Sequence, residues 1–135
     1  MNKALTAGLT TTSRITIDKP RTIDFMGDEA RIYATPELVR DIEITCRDLL
    51  LQHIEEGQDS VGTRIDVEHI AATPIGAWVE ITATVSSVDG RALAFEIKAR
   101  DPLEDICRGQ HNRFIVDVAK TGERLRSKVA RLDAL

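Results

Sequence analysis

Aromatic residues are scarce in this chain: three phenylalanines, one tyrosine and one tryptophan, 4% of 135 residues. Cations are in the minority as well, with 18 Lys and Arg against 22 Asp and Glu and a formal net charge of −4. A nucleic-acid-binding surface joins a basic patch to aromatic platforms, so no nucleic-acid partner is expected. There are only two cysteines, Cys46 and Cys107, far apart and in unlike contexts, which gives no disulfide framework. The three histidines, His53, His69 and His111, show no metal-ligand spacing, and no glycine-rich phosphate loop is present. No apolar run approaches the roughly 20 residues that span a bilayer. The opening "MNKALTAGLTTTSR" lacks the apolar core of a secretion signal. The expectation is a cytoplasmic protein, off the membrane, with no cofactor and no metal.

What is present fits one globular domain over residues 1–135, with 42% hydrophobic and 30% charged residues. Residues 1–12 are expected to be a flexible N-terminus, and "SRITID" at 13–18 a first strand. The stretch "TPELVRDIEITCRDLLLQHIEEG" carries the clearest helical signal. Thr35 is placed to cap it, Pro36 to begin it, Glu37 to face the positive end of the dipole, and Gly57 to close it. Leu38, Ile42, Thr45, Leu49 and His53 form its stripe, with Val39, Cys46 and Leu50 alongside.

After Gly57 the period changes to two. Strands are predicted at 61–72, 77–88, 91–100 and 104–118, with a hairpin at Asp89-Gly90 and a bulge or close approach at Gly109. Leu125, Val129 and Leu132 at helical spacing predict a C-terminal helix within 119–135. One long helix on an antiparallel meander is an α+β layout. It leaves apolar surface uncovered, so a homodimer or a dimer of dimers is expected.

Three polar residues fall where chemistry could use them. Ile65, Val67, His69 and Ala71 share a strand face, which points the His69 ring among apolar neighbours. Glu43 lies in line with Val39, Cys46 and Leu50, so its carboxylate is expected to be partly desolvated, to have a raised pKa and to need a partner. Thr35 stands at the helix start. Each has a plainer reading: a capping threonine, a solvated glutamate, a core histidine with a satisfied ring.

Taken together, "IYATPELVRDIEITC", "SVGTRIDVEHIAATPIG", "VDGRALAFEIKARD" and "GQHNRF" resemble the fluoroacetyl-CoA thioesterase family, a branch of the hotdog-fold thioesterases. The likeness runs from about Tyr33 to Val118. It implies a hotdog fold, a long helix packed on a curved antiparallel sheet, and hydrolysis of an acyl-CoA thioester to free acid and CoA. By the same resemblance Thr35, Glu43 and His69 are catalytic, and Gly62 and Arg113 bind substrate. The "AATPIG" after His69 would end the strand and turn the chain. The family's aromatic lid ahead of the threonine corresponds to "MGDEARIY", where only Phe25 just before it and Tyr33 at its end are aromatic. A small-to-medium acyl group is therefore expected in place of strict selectivity for the fluorinated one.

Helical geometry adds one constraint. Thr35 and Glu43 are eight residues apart, roughly 12 Å along a regular helix, so a direct contact within one chain is not expected. Either the substrate spans the gap or a dimer brings Glu43 of one chain toward Thr35 of the other. The alternative function is a non-catalytic acyl-CoA or metabolite-binding module. A hotdog hydratase is disfavoured because no D-x-N-x-x-H-type pairing is found.

Overall fold

The computed structural model describes residues 4–135. Five antiparallel strands form one sheet in the order β1-β3-β4-β5-β2: β1 Thr10–Thr16, β2 Gln58–His69, β3 Trp78–Asp89, β4 Ala92–Arg100 and β5 Asp105–Asp117. Two helices accompany it, α1 Thr35–Leu51 and α2 Val118–Asp133. Helix α1 lies on the inner face of the sheet. Its Leu38, Ile42, Cys46, Leu49 and Leu50 pack in one cluster with Val79, Ile81, Ala83 and Val85 of β3 and Leu93, Phe95, Ile97 and Ala99 of β4. The Val, Leu, Ile and Phe side chains among them each contribute about 1.5–3 kcal/mol relative to exposure.

The first strand begins at Thr10, earlier than its sequence pattern indicates. Its alternation is carried by threonines, and Thr10 and Thr12 pair through their hydroxyls with Thr84 and Thr82 of β3. The helix ends at Leu51, with Gln52 as its cap, and Gly57 serves the later turn into β2 at φ 84°.

The connection from β2 to β3 departs from the simple meander. The two strands are not neighbours: β2 is the edge strand beside β5, and β3 pairs with β1 and β4. The "AATPIG" stretch therefore crosses from one side of the sheet to the other, past the start of α1. On the way, the Thr73 carbonyl accepts from Tyr33 N–H and Ile75 N–H donates to the Arg31 carbonyl.

On β5 the inward positions are Cys107, Gly109, His111, Arg113 and Ile115. Two polar residues facing inward are what blurs its alternation. A Cβ at Gly109 would overlap the Asp66 carbonyl and the Val67 backbone, so the glycine marks a close approach. The register irregularities of β5 lie to either side of it, at Ile106 against β4 and opposite Gly62 to Arg64 of β2.

Helix α2 buries none of its residues and exposes Leu125, Val129 and Leu132. Among the described residues no helix is long and apolar enough to cross a membrane.

Candidate active site

Helix α1 starts one residue earlier than its capping pattern suggests. Glu37 N–H and Leu38 N–H both donate to the Ala34 carbonyl, so Ala34 is the cap and Thr35 the first helical residue. This frees the threonine hydroxyl from capping. It turns to the end of β2, where Thr35 Oγ1 and His69 Nδ1 lie 2.8 Å apart in a hydrogen bond. Thr35 is exposed and the His69 ring is half-buried.

Burial is the larger influence on His69 and lowers its pKa below the ordinary 6.5, while the Ala71 carbonyl acts in the opposite direction. The ring is neutral at physiological pH, so it can accept a proton from the hydroxyl. Its Nε2 is buried and finds no hydrogen bond of good geometry. The pair opens onto a cleft of about 370 Å³ whose other walls are mostly apolar, among them Ile23, Phe25, Met26, Ile32 and Ile70. Phe25 stands at the rim with 78% of its surface exposed.

Glu43 and the two residues assigned to substrate form a second cluster, down the helix from the first. Arg113 on β5 is buried, and its Nη1 lies 3.5 Å from Glu43 Oε1. Its Nε donates to Ser60 Oγ at 2.7 Å and its Nη2 to the Ser60 carbonyl at 2.8 Å. His111 completes the group. Its Nε2 accepts from Arg113 at 3.2 Å, and its Nδ1 donates to the Arg64 carbonyl at 2.8 Å. Burial lowers the His111 pKa; the Arg64 carbonyl and Glu43 act the other way, and Arg113 adds to the lowering.

Gly62 faces Arg113 across the β2–β5 pair, and a Cβ there would overlap Glu43 Oε1. Glu43 thus has its cationic partner, with 43% of its side chain still exposed. The chain unites Thr35 with His69, and Glu43 with Gly62 and Arg113. It does not unite the two groups, in keeping with eight residues of helix between Thr35 and Glu43.

Sequence reading missed a third set of residues. Tyr33 is 1% exposed and its hydroxyl donates to Asp41 Oδ2 at 2.5 Å. Asp41, 3% exposed, receives a two-pronged bond from Arg21, Nε at 2.9 Å and Nη2 at 3.2 Å. Burial first, then Asp41, raises the tyrosine pKa far above its usual value, so it stays a neutral donor. The signal was available: Asp41 sits three residues after Leu38 and four before Thr45, on the buried stripe itself. Among the described residues no group of three His, Cys, Asp or Glu side chains is placed to hold a metal ion.

Known proteins share this fold and sequence. The family model of the fluoroacetyl-CoA-specific thioesterases matches residues 17–119, a span that holds both clusters and the Tyr33–Asp41 contact. The fluoroacetyl-CoA thioesterase of Streptantibioticus cattleyicolor is 36% identical over 97 residues, 72% of this chain and 70% of that protein. A solved fluoroacetyl-CoA thioesterase superposes with a TM-score of 0.86 at 29% identity, covering 93% of this chain and 98% of the other. A phenylalanine-to-alanine variant of a fluoroacetyl-CoA-specific thioesterase, solved with fluoroacetate and CoA, superposes at 0.81 with 30% identity over 87% of this chain and 99% of that one. The family model spans most of the chain, and the 36% identical relative is matched over more than two thirds of it. On that ground the chain belongs to the fluoroacetyl-CoA-specific thioesterase family.

Proposed function

We propose that this protein hydrolyses an acyl-CoA thioester to the free acid and CoA, with Thr35 and His69 as the reacting pair. The observation that carries the reading is the 2.8 Å contact between Thr35 Oγ1 and a neutral His69 Nδ1 at the mouth of an apolar cleft. His69 takes the hydroxyl proton as Thr35 Oγ1 attacks the thioester carbonyl. The C–S bond then breaks, the imidazolium returns the proton to the departing CoA sulfur, and an acyl-threonine remains. Water, deprotonated by the same ring, releases the acid and restores the threonine. The start of α1 offers partial positive charge to the oxyanion.

The apolar cleft walls suit a small-to-medium aliphatic acyl group. Arg113 and Gly62 serve substrate binding indirectly in this reading, by fixing the direction of the Glu43 carboxylate.

Assembly belongs to the same proposal. Strand β2 is a sheet edge with Val61 and Ile65 exposed at 44% and 40%, and such an edge invites pairing. Two copies joined antiparallel through the middle of β2 would carry the Gly62 end of one strand toward the His69 end of the partner's strand. That brings Glu43, which packs on Gly62, toward Thr35 and His69 of the partner subunit. Glu43 then serves to orient the water or the ring across a homodimer interface. The two buried free thiols, with pKa pushed up to about 12 at Cys46 and about 11 at Cys107, suit the reducing cytoplasm.

The test is CoA release from a panel of short and medium acyl-CoA esters by the wild type and Thr35→Ala. Turnover of at least one ester, lost by about 10²-fold or more in the variant, is expected. Binding of the esters without turnover would instead make the chain an acyl-CoA-binding module.

A further inference from the structure

The Thr35–His69 contact requires the imidazole to hold one rotation, with Nδ1 toward the threonine. In acyl-transfer sites of this type the far nitrogen is usually held by a carboxylate. Here Nε2 has no such partner, and no charged group is among the causes of the His69 shift. The aromatic ring in contact with the imidazole is that of Tyr33, edge-on at 6.2 Å between centroids and 78° between planes.

Tyr33 is in turn held from several sides. Its N–H donates to the Thr73 carbonyl at 2.8 Å, and it forms an isolated bridge with Thr22. Its hydroxyl donates to Asp41, which the Arg21 fork fixes. Arg21 grips the same segment twice, because its backbone carbonyl accepts from Ala34 N–H at 2.8 Å, the residue before Thr35. Asp18 holds a further guanidinium nitrogen of Arg21 at 2.8 Å.

We propose that Asp41, clamped by Arg21, is a positioning residue for the thioesterase reaction, acting through Tyr33 to hold the His69 ring with Nδ1 on Thr35. The inference rests on Thr35 and His69 being the reacting pair. The action is geometric and not electrostatic. Asp41 bonds the tyrosine hydroxyl, and its charge does not figure among the influences on the His69 ring. Burying the Asp41 carboxylate beside a part-exposed Arg21 is costly in desolvation, and the carboxylate is directed at a tyrosine that borders the cleft. A misplacement of about 1 Å in such a site can lower turnover by about 10²-fold.

The experiment combines nitrogen-resolved NMR of the His69 ring with steady-state kinetics on the intact protein. The wild type should show a neutral ring in one tautomer, with the proton on Nε2 and Nδ1 accepting. Asp41→Asn keeps an oxygen to accept from Tyr33 and should retain that tautomer, with kcat within about threefold and the same acid midpoint. Tyr33→Phe and Asp41→Ala break the tie and should give mixed tautomers and a kcat lower by about 10–100-fold, with KM within about twofold.

Tyr33→Phe removes a single atom, so it remains readable even where Asp41→Ala folds poorly. A single Nε2–H tautomer and undiminished kcat in Tyr33→Phe, with only a lower Tm, would overturn the proposal and leave the network a structural one. Mixed tautomers in the wild type would overturn it too. Should the wild type hydrolyse no acyl-CoA, the functional reading fails, and the tautomer measurement still decides whether Asp41 orients the ring.

Discussion

Glu43 occupies the space that a side chain at position 62 would need: a Cβ on Gly62 would overlap Glu43 Oε1. The glycine is thus matched to a carboxylate, not to a special backbone angle, since it is not among the glycines with positive φ. The clashing atom is the end of a flexible side chain, so relief is available through rotation of Glu43 away from Arg113.

Gly62→Ala should therefore fold nearly normally, with Tm within a few degrees of wild type, yet lose about 10-fold or more in kcat. Calorimetry with turnover on one acyl-CoA ester checks this. Wild-type kcat in Gly62→Ala would show that the direction of Glu43 is irrelevant to catalysis.

Much of this architecture can be read from the sequence, and the parts that cannot have physical reasons. The period-3.6 stripe of α1 and the period-2 runs of β3 and β4 are driven by burial, so their pattern survives in the residues. The neighbour of β2 is not written locally: a Pro-Gly turn between two strands looks the same whether they pair or part. Thr35 fits a capping pattern, and only the Ala34 carbonyl bonds reveal that its hydroxyl is free for His69. Asp41 does not stand out in the sequence because charged residues are normally exposed. Its partner, Arg21, is 20 residues away in sequence.

Selectivity follows from Phe25. With 78% of its surface exposed at the rim, this ring does not close the cleft over a two-carbon acyl group. Hydrolysis of fluoroacetyl-CoA should proceed with little preference over acetyl-CoA, within about 10-fold in kcat/KM. A preference of several hundredfold would mean that a closed lid forms when substrate binds.

Acid should act on both rate and stability. His69 and His111 each bind a proton less readily folded than unfolded, because burial lowers both pKa values. Their contribution to stability is fully present above about pH 6.5 and is lost as pH falls through the window down to the lower folded values. The acid limb of kcat/KM should likewise have its midpoint below about 6.5. A midpoint above 7 would contradict a half-buried, neutral base.

The exposed β2 edge predicts association. Sedimentation at micromolar concentration should give at least twice the 15.0 kDa of one chain. An Arg or Pro in place of Val61 or Ile65 should shift it toward the monomer and lower turnover together. A fully active species of 15.0 kDa would rule out a site shared between subunits.

The most direct measurement is His69→Ala, followed for turnover, CoA-ester affinity and Tm in the same preparation. Loss of a half-buried, bonded ring should cost on the order of 1–3 kcal/mol of stability whatever its role. With His69 as the base that deprotonates Thr35, kcat should fall by about 10²-fold or more while the ester still binds. A variant that melts early but hydrolyses acyl-CoA at nearly the wild-type rate would show that His69 is a core residue and not the base.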